Sequence, residues 1–177
     1  RSKPDKLYTL MEQLTKLNPR VRSCGISFIE DYYPEKGHWF CPYAVKLEKD
    51  STEVIETSTI GSEDNDYLHQ EWFIQARQAE EGYWSKPFFD GEDATTPLVA
   101  YMHPVHDSKG RVVAIVGDDF SLDFMTRILL EQDSIINNEA WLLSSHDKYV
   151  SYVLSNDGTY ITHPDERRIQ KGNFYVD

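Results

Sequence analysis

One apolar run in the middle of the chain constrains the fold more than any other feature. Residues 112–116 read Val-Val-Ala-Ile-Val, without the polar alternation of a half-exposed strand, so both faces of this segment are expected to be covered. A turn at 107–110 precedes the run and ends in Gly, which readily takes positive φ. The sequence therefore predicts a hairpin of strands 98–106 and 111–120, with the second strand central in a sheet. Pro104 removes one ladder hydrogen bond from the first strand, which is tolerated at an edge or a bulge.

Helices and antiparallel strands alternate along the remainder of the chain. Strands are predicted over 20–30 and 38–49 around a turn at 33–37, over 53–59, and in a second hairpin of 149–155 and 159–163. Helices are predicted over 5–17, 71–81 and 122–131, the last capped by Ser121, with one helical turn over 165–170. Residues 133–146 fit neither pattern. Hairpins flanked by helices predict an α+β fold rather than a doubly wound one.

The first predicted helix carries one apolar stripe along its length. Its members recur at spacings of three and four and are Leu7, Leu10 or Met11, Leu14 and Leu17. Such a stripe packs either on its own domain or, as the end of a longer signalling helix, on a second subunit. Fewer than two heptads leave both interpretations open.

Acidic residues dominate the charge of the chain. A net charge of -12 argues against binding nucleic acid or anionic lipid head groups, because both require clustered Lys and Arg. It suits a cationic ligand, or simply a soluble surface. No stretch approaches the roughly 18 apolar residues of a transmembrane helix, and the chain begins at Arg1 rather than Met. We therefore expect a piece of a longer protein whose membrane-spanning segments lie outside it.

Two cysteines lie in neighbouring predicted strands. Cys24 and Cys41 are too few for a disulfide scaffold and lack the spacing of metal ligands. If their strands pair antiparallel, the two sulfur atoms can face each other. A disulfide and two buried thiols both fit the sequence.

Catalytic and metal-binding patterns are missing from the sequence. It contains no Gly-rich phosphate loop, no nucleophile elbow and no His-Glu-x-x-His, and its six His are scattered. The acidic segment 63–66 lacks the Gly and the distal Glu of an EF-hand loop. We expect no catalytic residue, no metal site and no cofactor.

Aromatic and acidic residues form the most suggestive pattern for a binding site. They comprise Asp66, Trp72 and Phe73 at the second predicted helix, Phe88 and Asp90 in the loop after it, and Tyr101, Asp118 and Asp119 in the central hairpin. Asp119 ends a very apolar strand, where a carboxylate is costly unless it is paired, hydrogen-bonded or solvated by a cleft. It can serve either a ligand or the structure, by capping the following helix or meeting a buried Arg.

These residues fall into motifs that resemble the double Cache (dCache) family, the PAS-like PDC sensors of bacterial histidine kinases and chemoreceptors. Four pieces occur in the family's order: Asp66 followed by Trp72-Phe73, the segment 84–90 reading Trp-Ser-Lys-Pro-Phe-Phe-Asp, the run from Pro104 to Asp119 with its Gly turn and Gly-x-Asp end, and the hairpin 157–165. Together they cover most of residues 21–165.

The resemblance implies a fold and a role. It implies a signalling and dimerisation helix over 1–19, a membrane-distal PAS-like module with an antiparallel sheet over 20–132, and an incomplete membrane-proximal module over 133–177. Such a chain is the extracytoplasmic (periplasmic) ligand-sensing part of an inner-membrane receptor, not itself an enzyme, and the family favours a histidine kinase output. The alternative is a ligand-free interaction module with a vestigial pocket.

The resemblance also implies which residues meet a small-molecule ligand. In relatives that bind amino acids, a Tyr and an Arg hold the carboxylate of the ligand, and Asn65 and Gln70 stand at those positions here. The acids that take the ammonium group match Asp90 and Asp119. The predicted ligand-binding residues are Asp66, Gln70, Trp72, Phe73, Phe88, Asp90, Tyr101 and Asp119. Because Gln cannot replace the bidentate Arg, an amine or another cation fits better than an α-amino acid.

Overall fold

The computed structural model of the chain describes residues 3–49, 52–89, 97–139, 149–155, 157–169 and 171–176. Within them lie helices α1 (Lys6–Leu17), α2 (Glu71–Gln78) and α3 (Asp123–Glu139), and strands β1 (Val21–Phe28), β2 (Cys41–Lys49), β3 (Thr52–Ile60), β4 (Tyr83–Trp84), β5 (Phe88–Phe89), β6 (Pro97–His106), β7 (Val112–Ser121), β8 (Val153–Leu154) and β9 (Tyr160–Thr162). Single 3₁₀ turns occur at Pro34–Lys36, Tyr67–His69 and Glu166–Arg168. The predicted α+β fold is confirmed.

The chain divides into two compact units. The first comprises Arg1–Ser85 with Ala100–Phe120, and the second comprises Lys86–Val99 with Ser121–Asp177. The predicted boundary at 132 falls inside α3, which is continuous. Ile135 and Ile136 are adjacent and both exposed, so the apolar periodicity that reveals a helix is lost there.

Strand β7 lies in the interior of the main sheet. The strand order is β3-β2-β1-β7-β6-β4, and β5 also pairs with β6. This confirms the central position predicted from the apolar run, whose residues Val113, Ala114 and Ile115 are all buried. Gly110 has φ +75° in the preceding turn, as the turn chemistry requires.

Two apolar cores cover the two faces of this sheet in the first unit. We call the sides the α1 face and the α2 face. On the α1 face, Leu7 and Met11 of α1 pack with side chains that include Cys24, Phe28, Ala44 and Ala114. On the α2 face, Phe73 and Ala76 of α2 pack with Tyr67, Cys41 and Ile115.

Helix α1 buries one side and exposes another. Leu7, Met11 and Thr15 are buried, so the structure selects Met11 rather than Leu10 for the stripe that packs on the sheet. Leu10, Leu14 and Leu17 are 47%, 42% and 77% exposed. The buried Lys46 donates a hydrogen bond from Nζ to the carbonyl of Asn18 at 2.8 Å, which places a cation at the end of the helix where carbonyl groups are unpaired.

The two cysteines are free thiols on opposite faces of the sheet. In the β1–β2 register, Cys24 stands opposite Ala44, and Cys41 meets the hydroxyl of Ser27 at 3.0 Å. Cys24 and Ser27 are three residues apart, so the alternation of a strand sends their side chains to opposite faces. The structure therefore decides for two buried thiols, one in each core.

In the second unit, two side chains one turn apart in α3 form hydrogen bonds with residues 149 and 151. Asp133 accepts hydrogen bonds from the amide and hydroxyl of Ser151, at 2.7 and 2.6 Å. Asn137 donates to the carbonyl of Tyr149 and accepts from its amide, at 2.9 and 2.7 Å. The predicted second hairpin is present as the shorter pair β8 and β9, with Gly158 at φ +84° in its turn.

Candidate functional site

A paired serine and carboxylate mark one end of the α2 face. In the β1–β7 register, Ser23 stands opposite Asp119, and its hydroxyl donates to Oδ2 of Asp119 at 2.5 Å. Ser23 is buried, whereas Asp119 is half-buried. A β-bulge between Val21 and Ser23 interrupts the pairing here. Bulges of this kind redirect side chains and recur next to functional sites.

Two glycines of the paired strands lie beside this carboxylate. Gly25 and Gly117 stand directly opposite each other in the β1–β7 pair, two residues from Ser23 and Asp119 and on the same face. A Cβ added at Gly117 would lie 2.8 Å from Sδ of Met102. A Cβ added at Gly25 would lie 3.2 Å from the ring of Tyr43. The two half-buried side chains therefore lie directly over the glycine backbone.

Two aromatic side chains lie on the same face of the sheet. Trp72 of α2 and Tyr83 of β4 are half-buried and, like Met102, pack against the core of the α2 face. The hydroxyl of Tyr83 donates to the carbonyl of Trp72 at 3.0 Å, which ties β4 to the start of α2. Burial raises the pKa of the Tyr83 hydroxyl, and Glu71 raises it further. The aromatic wall and the carboxylate predicted from sequence thus belong to one face of one sheet.

Neutral side chains at the positions implied for carboxylate binding are joined to each other. The amide nitrogen of Gln70 donates to Oδ1 of Asn65 at 3.0 Å, and its amide oxygen accepts from the indole of Trp72 at 2.5 Å. Both Asn65 and Gln70 are exposed. This chain of hydrogen bonds orients the Trp72 ring and presents no positive charge.

Asp66 plays a structural part in this arrangement. Its carboxylate accepts from the indole of Trp39 at 2.8 Å, from the ring of His69 at 2.6 Å and from the amide of Leu68 at 3.1 Å. The hydrogen bond from Trp39 is the main cause that lowers the pKa of Asp66, and those from His69 and Leu68 act in the same direction. The carboxylate caps the turn at Tyr67–His69. We therefore leave Asp66 out of the proposed ligand contacts.

The other predicted site residues lie elsewhere. Phe73 is fully buried in the core of the α2 face, where it contacts Tyr67 at 5.3 Å between ring centroids. Tyr101 packs on Trp84 at 5.1 Å, and Trp84 packs on Phe120, whose neighbours belong to the α1 face. Tyr101 is thus on the other side of the sheet from Asp119.

Two further predicted residues fall beyond the first unit. Phe88 lies in β5 of the second unit, opposite Leu98. Asp90 lies outside the described residues. Their predicted contacts with a ligand stay predictions.

Six residues of this face were not predicted from the sequence as site residues. They are Ser23, Gly25, Tyr43, Tyr83, Met102 and Gly117. Only the Gly117-x-Asp119 motif pointed to any of them, because a Gly inside a strand often marks a close approach by another group. The others depend on the pairing of β1 with β7, two strands about ninety residues apart.

The described groups of this face are suited to binding a cation. A carboxylate with a hydroxyl donor can hold a cation, and an aromatic wall adds cation–π attraction of about 0.5–2 kcal/mol. Among the described side chains, no group of three or more His, Cys, Asp or Glu is arranged to hold a metal ion. Within the same residues, no helix has the length and apolar character needed to cross a membrane.

The α+β fold and a match to a sequence profile define the class of protein as a PAS-like sensor module. A sequence profile described as "Methyl-accepting chemotaxis protein-like, first PDC sensor domain" matches residues 7–127. The chain belongs to this family, and the resemblance to double Cache sensors is confirmed. The family is one of sensor domains rather than enzymes. No curated protein matches the sequence.

Solved structures of sensor domains share this fold at low sequence identity. The extracellular domain of soHK1S-Z6, a protein assigned as a histidine kinase, is 21% identical with a TM-score of 0.64, and the match covers 97% of this chain and 57% of that one. The periplasmic sensory domain of the Campylobacter jejuni chemoreceptor Tlp1 is 14% identical with a TM-score of 0.66, covering 96% and 59%. The ligand-binding domain of the Pseudomonas aeruginosa amino acid chemoreceptor PctC, in complex with GABA, is 18% identical with a TM-score of 0.61, covering 97% and 62%. The chain spans about three fifths of the length of these structures.

Proposed function

We propose that this chain is the extracytoplasmic (periplasmic) ligand-sensing part of a membrane receptor and binds a small molecule on the α2 face of its first unit. The observation that carries this proposal is the Ser23–Asp119 pair, a half-buried carboxylate on the same face as two strand glycines and two aromatic side chains. The membrane-spanning helices and the output module, for which we favour a histidine kinase, would lie outside this chain. Membership of the sensor family supports the proposal.

The ligand we propose is an amine or another small organic cation. Asp119 offers a half-buried carboxylate that accepts a hydrogen bond from the uncharged hydroxyl of Ser23. Trp72 supplies the aromatic face that favours a cation. Gln70 and Asn65 satisfy each other and Trp72, so neither offers the cationic clamp that a ligand carboxylate would need.

Two of the similar structures were solved with a ligand bound. PctC was crystallised with GABA, and the Pseudomonas fluorescens chemoreceptor CtaA with L-serine. Both ligands carry an ammonium group and a carboxylate. We propose that this chain keeps a site for the first group and lacks the counterpart for the second.

Transmission of the signal would pass from the α2 face to helix α1 through strand β1. Ser23 bonds Asp119 on the α2 face, and the next residue, Cys24, meets Sδ of Met11 of α1 at 3.6 Å on the other face. The pairing of β1 with β7 shifts register beside Ser23, at a position where bulges recur next to functional sites. A ligand that binds Asp119 more tightly in one arrangement of β1 would shift α1 accordingly, in proportion to its difference in affinity.

The exposed leucines of α1 support a homodimer as the signalling unit. Leu10, Leu14 and Leu17 are separated by four and three residues, the a/d spacing of a helix pair, and all three are exposed. We propose that a second copy of this helix covers them.

A ligand-free interaction module remains the second candidate function. The observation that favours it is the closed hydrogen-bond chain from Asn65 through Gln70 to Trp72, which needs no ligand to satisfy its polar groups. Binding to any small molecule at Asp119 would exclude this alternative.

Thermal-shift screening with amines, amino acids and carboxylic acids tests the proposal. A ligand at ~100 times its dissociation constant should stabilise the chain by about 2.7 kcal/mol. Asp119→Asn should weaken an amine about 10- to 100-fold, the loss expected when one charge-assisted hydrogen bond is removed. Asp118→Asn is the matched control, because Asp118 stands opposite Cys24 on the α1 face and should leave binding unchanged. Stabilisation by carboxylic acids alone, undiminished in Asp119→Asn, would refute the amine proposal.

A further inference from the structure

We infer that Met102 sets the length of the ligand that the α2 face admits, with the glycine pair Gly25–Gly117 as the floor on which its side chain moves. This inference rests on the proposed function and adds to it a specificity-determining residue. The first observation is the contact at Gly117, where an added Cβ would lie 2.8 Å from Sδ and 3.5 Å from Cε of Met102. The thioether therefore lies on bare backbone, in space that a side chain at position 117 would fill.

The position of Met102 relative to Asp119 defines a direction in which a bound ligand can extend. Gly117 and Asp119 point to the same face and are two residues apart in β7, so about 7 Å of strand separates them. A cationic group held at Asp119 would direct the rest of its ligand either along the strand toward Met102 or away from the sheet. Met102 packs against the same core as Trp72 and Tyr83, and Tyr83 stands opposite it in the β4–β6 pair.

Met102 differs from the other residues around the floor in how easily it can move. Tyr83 is held by its hydrogen bond to the carbonyl of Trp72, and Ser23 is held by Asp119. Met102 is half-buried, unbranched and without a strong hydrogen-bonding group, and methionine adapts its shape more readily than other core residues. Tyr43 covers the opposing glycine with a rigid ring at 3.2 Å from the added Cβ. The adjustable part of the floor is therefore Met102.

The substitution Gly117→Ala should act in the opposite direction to shortening Met102. An added methyl group at position 117 must displace the far end of a flexible side chain rather than backbone. The displaced thioether would occupy the path along the strand and exclude longer ligands. Shortening residue 102 would instead open that path.

The experiment measures the affinities of a series of linear primary amines, from ethylamine to octylamine, for the chain by isothermal titration calorimetry. We expect the wild type to prefer one length and to lose affinity beyond it. Met102→Ala should move that optimum to longer amines, with about a fourfold gain for each added methylene that becomes buried. Met102→Val provides a second shortened variant that suits a strand, should the Ala variant fold poorly. Gly117→Ala should move the optimum to shorter amines.

Met102→Leu is the matched control, because it keeps nearly the same volume and should keep the optimum of the wild type. An unchanged ranking of the amines in Met102→Ala and Met102→Val, with wild-type binding intact, would overturn the inference and leave the proposed function standing. Failure of every amine to bind the wild type would instead overturn the proposed function, and this inference with it. Circular dichroism of each variant establishes that the fold is retained.

Discussion

Asp118 and Asp119 are consecutive in β7 but serve opposite faces of the sheet. Asp119 accepts a hydrogen bond from Ser23 on the α2 face, and Asp118 stands opposite Cys24 on the α1 face. Their partners on β1, Ser23 and Cys24, likewise point to opposite faces. Two adjacent residues on each strand thus connect the proposed ligand site to the core under α1.

The Ser23 hydroxyl should contribute measurably to stability. Ser23→Ala removes the hydrogen bond to the Asp119 carboxylate, and bonds to charged groups contribute about 1.5–3 kcal/mol. We expect the free energy of unfolding in urea to fall by that order. Ser58→Ala, at an exposed position of β3, is the control and should change little. Equal stability of the two variants would mean that Asp119 does not depend on Ser23.

Helix α1 contains a position where a polar group should be replaceable with a gain in stability. Thr15 is fully buried, and its hydroxyl has no hydrogen-bond partner within the described part of the chain. Thr15→Val keeps the shape and removes the unsatisfied group, so the free energy of unfolding should rise by about 1 kcal/mol. Thr9→Val, at an exposed position of the same helix, controls for helix propensity. A loss of stability at position 15 would indicate that the hydroxyl is satisfied in solution.

The buried thiols should make the protein less stable at high pH. Burial raises the pKa of Cys41 from its ordinary 9.0 to about 11, and burial with the neighbouring Asp118 raises that of Cys24. A thiol that ionises more readily in the unfolded chain stabilises the folded state below pH 9, and this contribution is lost as the pH rises from 9 to 11. The melting temperature of the wild type should therefore fall more steeply over this range than that of Cys41→Ala.

The same thiols should be unreactive in the native state. Alkylation at pH 8 should leave both cysteines unmodified until denaturant is added, because each is buried in a different core. A reductant should leave the melting temperature unchanged. A drop on reduction would show a disulfide instead.

The Cys24–Met11 contact should carry the response of α1 to ligand. Met11→Ala removes the contact on the α1 face and leaves the α2 face intact. We expect the affinity for an amine to stay within a few-fold of wild type, whereas ligand-induced changes in hydrogen exchange along α1 should shrink. Met125→Ala, in α3, tests whether the effect is specific to α1. Undiminished exchange changes in Met11→Ala would exclude this route.

The exposed leucines of α1 should hold two copies together. Leu10→Lys and Leu14→Lys should lower the fraction of dimer in analytical ultracentrifugation, because each places a charge in an apolar helix seam. Thr9→Lys, elsewhere on the exposed surface of α1, should not. A wild type that stays monomeric at high concentration, with or without an amine ligand, would contradict the homodimer proposal for this chain.

Several elements could be predicted from the sequence because their signals are local. Helix α1, the Gly turn before β7 and the apolar run of β7 each depend on residues within a few positions of one another. The end of α3 could not be predicted, because Ile135 and Ile136 are exposed neighbours and obscure the helical period. The roles of Asp66 and Phe73 could not be predicted either, since a capping carboxylate and a core ring have the same sequence appearance as ligand contacts.

By itself the sequence determined the order of the helices and of the strands other than β4 and β5, the central position of β7 and the kinship with PAS-like sensors. Only the tertiary structure decided which face each side chain serves. Side chains alternate along a strand, so a shift of one residue in register exchanges the two faces, and the register of β1 with β7 joins residues 96 positions apart. That long-range pairing put Ser23 against Asp119, opposed the two glycines under Met102 and Tyr43, and separated Cys24 from Cys41.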